Sequence, residues 1–226
     1  GLVVTDMITL GAGNKLEIPS PYNVTAVRST IDPTSIVKFA PTTNSINDTI
    51  DLNKFTQTFG YLEINSSEIG DVYEFTKDTT VNTELKLANA TSKVNHNTGT
   101  LTIEGNLANI GGTFVSNAKV VLSGTSQSIL GSNTFYDLVK SEVLTSFAAG
   151  TTQTVTNSIE LAGRPNNMLS LRSLTTSSQW NLTASATASY SNLDIQDSNK
   201  TGTAVNLDQT NVDSGNNTGW NFTATN

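Results

Sequence analysis

The residues able to do chemistry are few in this chain and widely spaced. A single histidine, His96, lies in the polar run 94–99 and is expected to be a turn residue. A Ser-His-Asp triad would have to use it, and no nucleophile elbow accompanies it. Cysteine is absent, so a thiol nucleophile, a disulfide and a zinc-thiolate site are all excluded. No HExxH and no Gly-rich phosphate loop occurs. Acid-base work would fall to the carboxylates, and Glu63, Glu68, Asp71, Glu74, Glu84, Glu104, Asp137, Glu142 and Glu160 are spread along the chain. A glycoside hydrolase needs two carboxylates at a fixed separation. A groove lined by three or more converging charged side chains on one sheet would favour polysaccharide chemistry. Without one, no enzyme is expected.

Oxygen-rich turns near the C-terminus make the other candidate. Asp194, Asp197, Asp208 and Asp213, with Asn199 and Asn211 among them, offer hard ligands of the kind calcium takes. The spacing matches neither an EF-hand nor an Asp-Gly nonapeptide repeat, and Asp and Asn are also the commonest turn formers. The expectation is therefore turns, with no metal and no cofactor. Eight sequons occur, at Asn23, Asn47, Asn65, Asn89, Asn181, Asn199, Asn216 and Asn221. With 26 Asn and 60 Ser plus Thr in 226 residues, composition alone gives about seven. They are candidate glycosylation sites only if the source organism glycosylates exported proteins.

The elements that must carry these residues are strands. Ser, Thr and Asn are abundant while charged residues make up 14%, a composition poor for helix interiors and good for turns and exposed strand faces. Short β-branched runs recur at 36–39, 61–64, 101–103, 120–122, 155–161 and 168–171, parted by Gly, Asn, Ser and Thr. Gly105, Gly111, Gly112, Gly124, Gly131, Gly150 and Gly163 fit corners. An internal repeat favours a solenoid over a sandwich or barrel. Val81 and Val155, Leu85 and Ile159, and Leu87 and Leu161 are each 74 residues apart. The two related units lie near 36–95 and 120–170, each long enough for about three coils.

The net charge of −7 argues against nucleic acid and anionic membrane surfaces. No apolar run reaches the ~18 residues of a membrane-spanning helix. The chain begins at Gly1, compatible with a removed export sequence or with excision from a longer protein.

The segment from Asn97 to Trp220 resembles a repeat family of very large bacterial and archaeal surface proteins, the adhesin-like right-handed β-helix proteins. The resemblance is carried by 101–106 (LTIEGN), 112–114 (GTF), 124–129 (GTSQSI), 133–138 (NTFYDL), 149–155 (AGTTQTV), 169–173 (LSLRS), Gln179-Trp180, 190–198 (YSNLDIQDS) and 213–222 (DSGNNTGWNF). It covers 97–222, is looser over 30–96 and is absent from the first 30 residues. Ser177-Ser178 stands where a Gly-Thr pair is commoner. The resemblance implies an all-β, right-handed parallel β-helix at the cell surface or outside the cell, acting as a stalk, filament or presentation scaffold. It brings no catalytic motif. A sugar-acting or sugar-binding β-helix protein is the alternative, with surface glycans as partners. Thr100-Leu101-Thr102 and Thr154-Val155-Thr156 look like ice-binding motifs, but they do not recur in every coil.

The helix proper is expected over 30–226. Residues 1–29 are read as a separate strand segment, with Leu2, Val4, Ile8 and Leu10 on one face. That strand either caps its own first coil or completes a neighbour's open edge in a head-to-tail homopolymer. Trp180 and Trp220 are expected to pack near the C-terminal end, their indole N–H groups satisfied by nearby Asn or Ser.

Overall fold

A computed structural model describes residues 7–19, 28–41, 47–141, 143–184 and 187–223. The chain is an all-β parallel solenoid of about nine turns, 59% strand. No α-helix occurs among the described residues. The sequence pattern explains both features. Alternation of apolar and hydroxyl residues over four or five positions suits a strand with one buried face, and the Gly, Asn and Ser clusters between are too short for helical crossovers.

One turn shows the plan. Thr100–Ile103 lies on a first face, Asn106–Asn109 on a second and Thr113–Ser116 on a third. Lys119–Leu122 then returns to the first face, paired in register and in parallel with Thr100–Ile103. The rise per turn is therefore one strand spacing, ~4.8 Å, which makes the solenoid ~43 Å long. Turns differ in length. Val37 pairs with Leu62 after 25 residues, and Ile129 with Phe147 after 18. Loops absorb the difference while the register holds.

The interior is built from vertical columns. Leu16, Val37, Leu62, Leu85, Leu107, Ile129 and Phe147 follow one another in register on the second face. Phe59, Val81, Ile103, Leu122, Lys140, Leu161 and Tyr190 do so on the first. Aromatic pairs fill the wider levels, including Phe39 against Phe55 at 5.0 Å and Phe147 stacked on Trp180 at 3.9 Å. Gly105 and Gly124 serve close approach of adjacent turns, whereas Gly111, Gly131 and Gly150 adopt positive φ.

Two sequence expectations need correction. The helix does not start near residue 30, because Met7–Leu10 pairs with Arg28–Ile31 and Lys15–Ile18 with Ile36–Phe39. The strand carrying Ile8 and Leu10 is thus the first strand of its own solenoid, with Leu10 packed on the core. It does not stand apart as a donor. Leu2 and Val4 lie outside the described residues. The repeat also differs from a set of whole coils. Val81 is on the first face and Val155 on the third, while Leu85 is on the second face and Ile159 on the first. The 74-residue offset therefore spans three turns and two further faces, so the second unit is rotated by one face relative to the first. Period-two alternation is the same on all three faces, which is why the sequence could not reveal the rotation.

Candidate functional site: a polar belt inside and a charged groove outside

The apolar columns are interrupted midway by a belt of buried polar side chains. Lys140 occupies a core position between Leu122 and Leu161 and is 1% exposed. Its Nζ donates to the Gly124 carbonyl and to Gln127 Oε1, the latter at 2.8 Å. Burial pushes the amine down to about 8. Gln127 is held in turn, its Nε2 donating to Ile103 O at 2.8 Å and Gly105 O at 2.6 Å. Thr145 is paired with Gln127 in register, and its buried hydroxyl has no hydrogen-bond partner. A second chain of amides crosses three turns. Asn109 Nδ2 donates to Asn133 Oδ1 at 3.2 Å, and Asn133 Nδ2 to Gln153 Oε1 at 2.9 Å.

His96 belongs to this belt. It is no turn residue, but a fully buried strand residue in register with Phe75 and Ser116. Ser116 donates its hydroxyl to Ala118 O at 2.7 Å, so at the 2.9 Å contact His96 Nδ1 must be the donor. The ring is then neutral, with a bare, unpartnered Nε2. Burial lowers its pKa, and the nearby Thr98 and Gly99 carbonyls offset this only in part. The unfolded chain, with an ordinary histidine near 6.5, binds the proton more readily. Stability should be fully present above about pH 6.5 and fall as the pH drops below it. His96→Gln should flatten that acid limb in denaturant melts between about pH 7 and 5. An unchanged limb would place the acid sensitivity elsewhere.

Outside, on the first face, a shallow groove of about 370 Å³ is lined by Lys119, Asp137, Val139, Ser158, Glu160 and Thr187 among others. Lys119, Asp137, Ser158 and Thr187 form one in-register row, and Val139, Glu160 and Ser189 the next. Three charged residues thus line one sheet. Asp137 is partly occupied, accepting from Asn157 Nδ2 at 2.7 Å and from the Ser158 hydroxyl. What the groove offers chemically is a row of hydroxyls and carboxylates open to solvent, suited to hydrogen-bonding a polyol. Of the other carboxylates named from sequence, Glu63 sits in a ladder of alternating charge on the second face. Its neighbours there are Lys38 at 3.7 Å and Lys86 at 3.6 Å. Glu142 lies outside the described residues.

The four aspartates do not converge. Asp194 pairs with Arg172 and accepts from the Ser214 hydroxyl. Asp197 accepts from Ser177 N–H at 3.2 Å and Asn216 Nδ2 at 2.6 Å. Asp208 binds Thr210 and Asn211, which hold its carboxyl below the usual range, the Thr210 hydroxyl most strongly. Asp213 caps the turn at Gly215 N–H and Asn217 Nδ2. Each closes a turn or joins neighbouring coils. Among the described residues no three His, Cys, Asp or Glu gather closely enough to hold a metal ion.

The sequons fall mostly within asparagine ladders. Asn89 Nδ2 donates to Asn65 Oδ1 at 2.8 Å, Asn199 to Asn181 at 2.9 Å, and Asn221 to Asn206 at 2.9 Å. Asn181 and Asn216 reach Thr151 O and Asp197. Five of the eight amides therefore spend one N–H on another turn, leaving a single N–H for any glycan. Asn47 is exposed, and Asn23 lies outside the described residues. Thr134, Thr154, Thr183 and Thr201 stack in register over four turns, with Thr183 and Thr201 hydroxyls 2.6 Å apart. Sequence reading missed this row because its members lie 18 to 29 residues apart in the chain.

Trp180 and Trp220 are both buried. Trp220 Nε1 donates to Ser198 Oγ at 3.0 Å, as the sequence suggests, but Trp180 Nε1 has no partner.

No family model, curated protein or solved structure matches this chain. What stands is the parallel β-solenoid itself.

Proposed function

We propose that this chain is a structural or adhesive element of an extracellular or cell-surface assembly, a rigid rod rather than an enzyme. One observation carries the reading. About nine turns stack in register, and the polar groups on their outer faces are spent largely on one another, in ladders of Asn, Thr and alternating charge. Such ladders stiffen a surface instead of gathering groups around a substrate. The resemblance to adhesin-like repeats agrees with an extracellular place.

Head-to-tail association is part of the proposal, now with the solenoid's ends as the contact. Among the described residues, strands 7–10 and 15–18 at one end and 212–213 and 220–222 at the other pair on one side only. Unpaired strand edges template further pairing. Light scattering and negative-stain microscopy of the full chain should show rods of increasing length as concentration rises. Val212→Lys, which places a charge at an exposed edge residue, should return the protein to monomers without altering its far-UV circular dichroism. Monomers at every concentration would overturn the association.

A second reading, polysaccharide binding, is favoured by the groove at Lys119, Asp137 and Glu160. Retention on immobilised neutral or acidic polysaccharide, lost in an Asp137→Ala, Glu160→Ala double variant, would support it. Turnover of such a polymer would overturn the structural assignment.

A further inference from the structure

The geometry points to Lys140 and Gln127 as the two halves of an intramolecular amide cross-link that forms within the folded solenoid. The inference does not rest on the functional proposal above. An amine is an odd occupant of a column otherwise filled by Phe59, Val81, Ile103, Leu122 and Leu161. It meets no carboxylate there, and its hydrogen-bond partners are two oxygens, one of them the carboxamide oxygen of Gln127 at 2.8 Å. The carboxamide is pinned with that oxygen toward the amine, because both of its N–H groups are taken by Ile103 O and Gly105 O. Water is excluded, with Gln127 and Lys140 each 1% exposed.

Three conditions for acyl transfer to nitrogen are met in this arrangement. The amine is desolvated, and burial brings it down to about 8, so a useful fraction is the neutral nucleophile near physiological pH. The electrophilic carbon is one bond from the oxygen the amine already touches, and rotation about the Cε–Nζ bond turns the lone pair toward it. Competing water has no access. The step is balanced. The Nζ lone pair attacks Gln127 Cδ and a new N–C bond forms. As the Cδ–Nε2 bond breaks, the departing nitrogen takes up the proton lost from Nζ and leaves as ammonia. No oxidant, reductant or further reactant is consumed. The hydroxyl of Thr145, buried without a partner beside Gln127, is placed to relay that proton. The product also suits its surroundings better than the reactants. A neutral amide replaces a base whose charged form the core penalises, and its N–H can still donate to Gly124 O.

The bond would tie the first face of one turn to the second face of the preceding turn, closing a loop over residues 127–140. A lock there would resist separation of the turns at mid-solenoid.

The test is the mass of the full chain after complete denaturation. It should lie below the sequence mass by one ammonia, about 17 Da, and proteolysis should yield one branched peptide joining Gln127 to Lys140. In freshly folded protein the loss should quicken as the pH rises through about 8. Lys140→Met and Gln127→Leu, each close to the original in size, should both keep the full mass. Full mass in the wild-type chain after long incubation at about pH 9 would overturn the proposal, since the amine is then largely neutral. So would an ammonia loss that maps to another residue, such as cyclisation at an asparagine, or one that persists in Lys140→Met.

Discussion

Replacing Gly105 with valine is expected to leave the chain unable to form its middle turns. Gly105 sits just before Asn106, where the second-face strands 84–87 and 106–109 begin to pair. A Cβ at this position would lie 1.7 Å from the Thr83 carbonyl oxygen and 2.2 Å from its carbon. Both are backbone atoms of the adjacent turn, so no side chain can swing aside. Relief requires the two turns to part, which breaks the ladder on either side and the Gln127 bond to the Gly105 carbonyl. The loss should reach the exceptional range, above about 4 kcal/mol. Gly111 is the control. A Cβ there meets nothing within 4 Å, and only its φ of +83° opposes a side chain. Gly111→Ala should lose about 1–2 kcal/mol. Denaturant melts of both variants decide the matter, and similar midpoints would show that turn spacing is looser than described.

The second large effect is expected at Trp180. Its ring is 1% exposed and stacks on Phe147, 3.9 Å between centroids and 17° from parallel. Truncation to alanine removes the largest fully buried side chain and leaves a void that the rigid turns cannot close. A loss of about 3–5 kcal/mol follows. Trp180→Phe should behave differently. The indole N–H is buried without an acceptor, so the wild-type protein already bears the desolvation of that group, about 1–3 kcal/mol. Phenylalanine removes that burden while keeping part of the stack, and its melt should fall within about 1 kcal/mol of wild type. A loss as large as alanine's would mean that the N–H is satisfied, for instance by water.

Much of the fold is legible in the chain because a solenoid repeats one simple rule. The runs at 36–39, 61–64 and 120–122 are strands in the structure, since their β-branched, alternating pattern has no helical reading. The start of the helix was hidden because the first turn lacks the later motifs, although Lys15–Ile18 obeys the same alternation. His96 misled for a physical reason. Its neighbours Asn95 and Asn97 flank the strand position, so a polar local sequence conceals an inward side chain. The belt of Gln127, Lys140 and Thr145 was invisible because its members meet only through stacking. Such contacts depend on turn lengths, which vary from one turn to the next and follow no rule that one sequence displays. The groove at Asp137 and Glu160 arises in the same way.

The rotation between the two sequence units has a consequence for how such a rod meets its surroundings. A unit of whole turns, duplicated, would set each copy of a surface feature directly above the last, giving one decorated side and two blank ones. Here each duplication advances the pattern by one face. The outward residues around Tyr61 on the second face have their counterparts around Asp137 on the first. A longer array grown by the same step would wind its features about the axis like treads on a spiral stair, so that a partner approaching from any side finds one within reach.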